Sequence, residues 1–321
     1  MQLQNDGACV SFFLLKITTI IHTLSEKGAC INLLLNSLIL KKKDNTTMAV
    51  SMEDIKKLRT MTGAGLGDCK KALAESNGNL EEAIEIIRKK GQAVAAKRSD
   101  REAAEGCVLC KVENGFGAII ALKCETDFVA KNEDFIALAQ SIMDLAVANK
   151  CATLEEVKAL QLGNTTVAEA VVDRSGITGE KMELDGYLTI EGENISIYDH
   201  QGKHQLCTMV ALNKNVDATY GKAVAMQVAA MNPVSLCEAD VPEDIKASEF
   251  KVAAEKAREE GKPENMVEKI AMGRMNKFYK EACLLNQEFI QDSKLSVAQY
   301  LQQADKECTV TAFKRFTLRA E

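Results

Sequence analysis

Four short stretches carry residue types that perform chemistry elsewhere in proteins. Cys107 and Cys110 spell CxxC, a spacing that on a turn can hold a metal or a disulfide. The surrounding Gly106-Cys107-Val108-Leu109-Cys110-Lys111-Val112 reads as a strand, where positions three apart face opposite sides, so the two thiols are expected apart. Gly63-Ala64-Gly65-Leu66-Gly67 invites a phosphate-loop reading. A phosphate loop follows a strand and ends in Gly-Lys-Ser/Thr or reads GxGxxG; here a helix pattern precedes, the spacing is GxGxG and Asp68 would face the phosphate. A turn is expected there. His200 and His204 have the spacing that aligns two ligands on a helix, but Gly202 stands between them and no Glu or Cys completes a ligand set. The fourth stretch is Cys124 to Phe135, CETDFVAKNEDF, which places Asp127 and Phe128 side by side where a strand pattern meets a helix pattern. A turn favours small polar residues. A Phe there either caps the core under the following helix or serves something outside the chain.

No Ser/His/acid elbow, metal cluster or phosphate loop emerges, and three His leave few general bases. The active-site pattern search is therefore empty, which favours binding over bond-making. A hydrolase using acids such as Asp127 and Glu133 is the weaker reading.

The elements that must position these residues begin with three short helices. Met52–Arg59 carries Ile55 and Leu58 on one face, Leu66–Ser76 carries Cys69, Ala72 and Leu73, and Leu80–Lys90 carries Ala83, Ile84 and Ile87. Gly63 and Asn77-Gly78 supply the stops. Gln92–Ala104 is Ala-rich and charged without a bulky apolar stripe, as suits an exposed helical connector. Cys107–Val112 and Phe116–Cys124 flank Asn114-Gly115, a strong hairpin signal, and a helix Phe135–Ala148 follows. Asn194–Tyr198, the turn Gln201-Gly202-Lys203, Leu206–Leu212 and the helix Thr219–Met231 repeat that order. The joint of the second copy, Asn213 to Ala218, holds no aromatic, so a shared fold does not demand Phe128. Glu243–Glu260 and Glu264–Leu285, broken at Gly261-Lys262-Pro263, predict an antiparallel helical hairpin with charged exposed faces. Thr309–Leu318 alternates with period two and should return as a strand.

With 46% hydrophobic and 27% charged residues in 321, the chain has an ordinary globular composition and the length of two or three domains. Its net charge of −6 gives no general affinity for nucleic acid and points instead to a protein partner. Eleven scattered Cys indicate free thiols in a reducing cytoplasm. Residues 1–47 differ. Phe12–Leu24 and Ile31–Leu40 are apolar, but neither reaches the roughly 20 residues of a membrane span. Neither a secretory nor a mitochondrial signal pattern fits. The expectation is a spurious or disordered extension ahead of a true start at Met48.

From residue 51 to 321 the chain resembles bacterial elongation factor Ts, the guanine-nucleotide exchange factor of elongation factor Tu. Leu58-Arg59-Thr60-Met61-Thr62-Gly63-Ala64-Gly65 with Asp68-Cys69-Lys70-Lys71-Ala72-Leu73 resembles the family's front signature, and Thr126-Asp127-Phe128-Val129-Ala130-Lys131 its second. Gly261-Lys262-Pro263-Glu264, Glu268-Lys269-Ile270, Gly273-Arg274-Met275 and Lys277-Phe278-Tyr279 resemble its helical hairpin. Where the family usually carries a Gly-Arg-Ile-Gly-Val strand after Tyr-x-His, this chain has Tyr198-Asp199-His200 and then His204-Gln205-Leu206-Cys207-Thr208. The last strand is not followed by the extra helix some members carry.

The resemblance implies an α+β fold: a UBA-like three-helix bundle (48–91), a helical connector (92–104), and two related subdomains (105–180; 181–240 with 291–321) with an inserted helical hairpin (241–290). It implies that Phe128 wedges between helices of elongation factor Tu near the nucleotide and disturbs the bound Mg²⁺. Asp127 would accept hydrogen bonds from the partner, while Thr126 and Val129 set the turn. Lys56, Arg59 and Lys70 would meet the GTPase domain, and the second subdomain, with His200, another domain. The partner is elongation factor Tu, GDP-bound or nucleotide-free, with no cofactor, no direct nucleotide contact, no nucleic acid and no membrane. An adaptor whose front bundle binds small folds is the alternative, and it explains nothing after residue 105.

Overall fold

The computed structural model describes residues 50–318, so the reading of residues 1–47 lies outside the described residues. The described chain forms two compact units that divide between Ile87 and Arg88.

The first unit is built from α1 (Met52–Thr62), α2 (Leu66–Glu75) and the start of α3 (Leu80–Ala96). Ser51 caps α1, its hydroxyl accepting from the Asp54 N–H at 3.0 Å. Gly63, at φ 68°, closes the helix by donating its N–H to the Arg59 carbonyl at 2.7 Å. That left-handed conformation suits glycine, so the Gly63-to-Gly67 run is a helix stop followed by a helix start. Ile55, Leu58, Cys69, Ala72, Leu73 and Ala83 are buried together.

Gly91 does not end α3, which runs on to Ala96; the connector expected over 92–104 is helical only that far. The reason is a close approach. Gly91 lies against Gly176 of a later helix, and a Cβ on Gly176 would stand 2.0 Å from the Gly91 Cα.

The second unit continues with β1 (Glu105–Glu113) and β2 (Phe116–Cys124), paired antiparallel around Asn114-Gly115, both at positive φ as a tight hairpin requires. Then come α4 (Asp127–Ala130), α5 (Glu133–Ala148), α6 (Leu154–Ala159), a small ladder of β3 (Gln161–Leu162) and β4 (Thr165–Thr166), and α7 (Val167–Thr178). The strand β5 (Met182–Glu191) pairs with the far side of β2, giving a sheet of order β1-β2-β5. On strand pairing β5 belongs with the first hairpin, although the sequence reading began the second subdomain at 181. A register shift opposite Ala121/Leu122 leaves Asp185 unpaired and switches which face the following residues occupy.

A second antiparallel sheet joins β6 (Asn194–Asp199) and β7 (Leu206–Leu212) to a strand from the end of the chain, with β7 in the middle. Alternation along β1 and β2 fills two cores. Cys107, Leu109, Ala118, Ile120 and Leu122 pack with Phe135, Ile142 and Met143 of α5. Val108, Ile119 and Ala121 pack with Cys207, Met209 and Ala211 of β7, so the sheets meet face to face. The outer face of the second sheet is covered by α8 (Ala218–Met231) through Val224 and Val228.

The helical hairpin follows as α9 (Glu243–Glu259) and α10 (Glu264–Ala282). Ala253, Ala254, Ala257, Val267 and Ala271 form its seam. Arg258–Glu264 and Arg274–Glu260 ion pairs, at 2.8 and 2.7 Å, bind its tip. Backbone bonds from Val234 to Ala282 and from Leu284 to Ser235 fasten its base. The chain returns through β8 (Glu288–Phe289), β9 (Asp292–Ser296) and α11 (Val297–Gln302) to β10 (Val310–Thr317), the strand read from residues 309–318. The buried Gln227 amide seats this return, donating to Gln287 at 3.0 Å and accepting from the Ile290 N–H at 2.9 Å. No described helix is long and apolar enough to cross a membrane.

Candidate partner-binding turn

The CETDFVAKNEDF stretch folds as two helix starts in succession. Thr126, extended at φ −125°, ψ 155°, caps α4, and its Oγ1 accepts from the Val129 N–H at 3.4 Å. Asn132 caps α5, its Oδ1 accepting from Asp134 N–H at 2.9 Å and Phe135 N–H at 3.4 Å. These two caps settle the fate of the two aromatics. Phe135 lies one turn into α5 on its inner face and is fully buried against β1 and β2. Phe128 lies in the single turn of α4 and is 84% exposed. The reading of Phe128 as a core cap is therefore wrong. Val129 and Ala130 lean partly on the core, and Phe128 stands out into solvent.

Asp127 pairs with Lys131 at 2.6 Å across one helical turn. The Lys131 ammonium draws the Asp127 carboxyl below its ordinary value. Both side chains are largely solvated, so the pair orients the turn more than it stabilises the fold.

Beneath the turn lies a polar anchor that the sequence reading missed. Glu125 accepts from the Lys181 N–H at 2.6 Å and from the Arg98 and Arg101 guanidinium groups at 2.9 and 3.0 Å. Its pKa is lowered to about 2, first by the Lys181 amide and then by the two arginines. Glu180 accepts both the Thr126 N–H at 3.1 Å and the Thr126 hydroxyl at 2.7 Å. The Cys124 thiol donates to the Thr126 carbonyl at 3.2 Å. Glu125 belongs to the stretch itself, but its partners Arg98, Arg101 and Lys181, and Glu180 beside Thr126, are distant in sequence, and nothing in their local pattern pointed to the turn.

The other expected residues lie elsewhere. In the first unit Lys56, Arg59 and Lys70 are exposed, as are Met52, Met61 and Leu66. Met52, Lys56 and Arg59 follow one face of α1, and Leu66 and Lys70 one face of α2. His200 is exposed in the turn between β6 and β7, its Nδ1 3.1 Å from the Tyr198 hydroxyl, while His204 Nδ1 lies 2.6 Å from Asp199. The two imidazoles are each engaged by a different neighbour. Cys107 faces α5 and Cys110 the other sheet, as the strand parity requires. Burial pushes the Cys107 thiol up to about 12, which keeps it protonated.

The family model for elongation factor TS matches residues 125–320. An elongation factor Ts of Phocaeicola vulgatus is 53% identical and one of Porphyromonas gingivalis 54%; each alignment spans 85% of this chain and the whole of the relative. One of Azobacteroides pseudotrichonymphae is 44% identical over the same shares.

The chain belongs to the elongation factor Ts family. The family match opens at Glu125, the residue that anchors the exposed turn, and takes in β5, the whole second sheet, the helical hairpin and the returning strand β10. As a member of the elongation factor Ts family the chain presents Thr126-Asp127-Phe128-Val129 on a surface turn held from below by half-buried polar contacts.

Proposed function

We propose that the chain is the guanine-nucleotide exchange factor of elongation factor Tu, and that it works by inserting the Asp127–Phe128 turn beside the partner's nucleotide site. The observation that carries the reading is Phe128: a large apolar ring, 84% exposed, on a turn capped by Thr126. An exposed ring gains free energy only when a partner covers it, at about 25 cal/mol per Å² of apolar surface removed from water. That gain is spent on shifting the partner's helices. Mg²⁺ bridges the nucleotide phosphates to the GTPase and offsets their charge, so displacing it weakens GDP without any contact from this chain to the nucleotide. Coupling is reciprocal. If the factor weakens GDP a thousandfold, about 4 kcal/mol, then GDP weakens the factor equally, and arriving GTP clears the complex.

Asp127 offers the partner a carboxylate held ionised by Lys131. Thr126 and Val129 fix the turn. The first unit reads as a UBA-like bundle presenting Lys56, Arg59 and Lys70 to the GTPase domain, and the two sheets with their helices as related subdomains, the second bringing His200 to another domain of the partner. The partner is met GDP-bound and nucleotide-free, in the cytoplasm. An adaptor function would use the first unit alone and leave the exposed turn without a role.

The test is release of fluorescent GDP from elongation factor Tu. The intact chain should accelerate it strongly in millimolar Mg²⁺ and much less after EDTA has stripped the metal. An unchanged release rate in Mg²⁺ rejects the exchange reading; equal acceleration with and without Mg²⁺ rejects the metal-displacing route.

A further inference from the structure

Helix α4 has little of its own to hold it. It is four residues long and none of them is fully buried. A single turn is unfavourable by itself, because nucleation fixes several dihedrals for one hydrogen bond. A wedge that had to order itself on contact would lose that ordering free energy from its binding. The hydrogen bonds that reach Thr126 from outside its own segment come from the corner Gly179-Glu180-Lys181 between α7 and β5. The Lys181 N–H reaches Glu125, and the Glu180 carboxylate takes both the N–H and the hydroxyl of Thr126. A hydroxyl has one proton and two lone pairs. With its proton directed to Glu180 at 2.7 Å, Thr126 Oγ1 is left with a lone pair for the Val129 N–H, which is the cap of α4. Glu180 is itself set in place. Gly179 ends α7 at φ 73°, the Glu180 N–H donates to Thr178 Oγ1 at 3.3 Å, and the Ser175 hydroxyl donates to the Glu180 carbonyl at 2.5 Å.

We infer that Glu180 is a positioning residue for nucleotide exchange: by holding both hydrogen-bond donors of Thr126 it keeps α4 folded, so that Phe128 meets the partner already in its working geometry. This rests on the wedge reading of Phe128. Glu125, gripped by Lys181, Arg98 and Arg101, fixes the preceding residue to the same corner.

The experiment uses the full chain with Glu180→Ala and Glu180→Gln, each alone and combined with Phe128→Ala. Two quantities are read: GDP release from elongation factor Tu, and amide hydrogen exchange of Ala130, Lys131 and Asn132, whose N–H groups close the turn. Glu180→Ala should slow GDP release about tenfold, in line with the cost of a loosened reactive geometry. Glu180→Gln should fall between, because its amide oxygen still accepts one bond from Thr126. In the Phe128→Ala background Glu180→Ala should cost nothing further, since residues acting through one group are non-additive. The three amides should exchange about tenfold faster in Glu180→Ala, reporting the opened turn. Wild-type release by Glu180→Ala overturns the inference, as does an equal further loss in the Phe128→Ala background, which would mark a general structural role. Slow Phe128→Ala with normal Glu180→Ala removes only the positioning role. A Phe128→Ala chain that exchanges normally removes the wedge and the positioning role together.

Discussion

At the scale of single residues, two phenylalanines in one short stretch have opposite environments and should respond oppositely to truncation. Phe135→Ala removes a fully buried ring and should cost about 3–5 kcal/mol in urea unfolding. Phe128→Ala removes a solvated one and should change unfolding by less than about 0.5 kcal/mol. The residue types at this turn were legible in the sequence, since an acid and an aromatic at a joint ask for an explanation. Phe135 was legible as an inner residue from its place at the head of the helix Phe135–Ala148, but whether Phe128 joins it inside was not, because that depends on the one-turn helix that Thr126 caps. The anchors beneath were hidden for another reason: Glu125 meets Lys181, Arg98 and Arg101 only after the fold has formed. Glu125 also gives a pH signature. Its folded pKa is depressed to about 2 from an ordinary 4.5. As pH falls the unfolded chain takes up this proton first, so the stability Glu125 contributes is present above the ordinary value and lost as pH drops towards about 2. Unfolding free energy measured between pH 5 and 3 should therefore fall more steeply in the wild type than in Glu125→Gln. Equal slopes would show that the anchor is not coupled to folding.

At the scale of elements, periodicity was a good guide wherever a strand or helix has one regular buried face. The helices α1, α5, α8, α9 and α10 and the hairpin around Asn114-Gly115 stand where the alternation and stop signals put them. The strand β5 escaped because the unpaired Asp185 breaks its alternation: Met182, Leu184 and Tyr187 join the core that holds Phe135, whereas Leu188 and Ile190 join the core between the sheets. The third helix runs past Lys90, where its apolar stripe gives out, because Gly91 is packed against the backbone of α7. Gly176→Ala should accordingly destabilise the second unit by about 1–3 kcal/mol, the usual range for overpacking, because the obstacle is backbone and cannot rotate away. Thermal unfolding followed by circular dichroism would show it, and an unchanged midpoint would mean that α3 and α7 separate without cost.

At the scale of the whole molecule, the described chain is a scaffold for surfaces. The charge of −6 and the empty pattern search for an active site had already turned attention to a protein partner. The family match agrees with that direction. What composition and periodicity could not supply is the placement behind the proposed exchange role, an exposed Phe128 ring on a turn hydrogen-bonded from Glu180. The sharpest measurement is release of fluorescent GDP from elongation factor Tu by Phe128→Ala beside the wild type, with melting curves confirming an equal fold. The variant should lose most of the acceleration, a hundredfold or so if the ring contributes about 3 kcal/mol of differential binding. Acceleration equal to the wild type, from an equally folded variant, would contradict the role given to this ring.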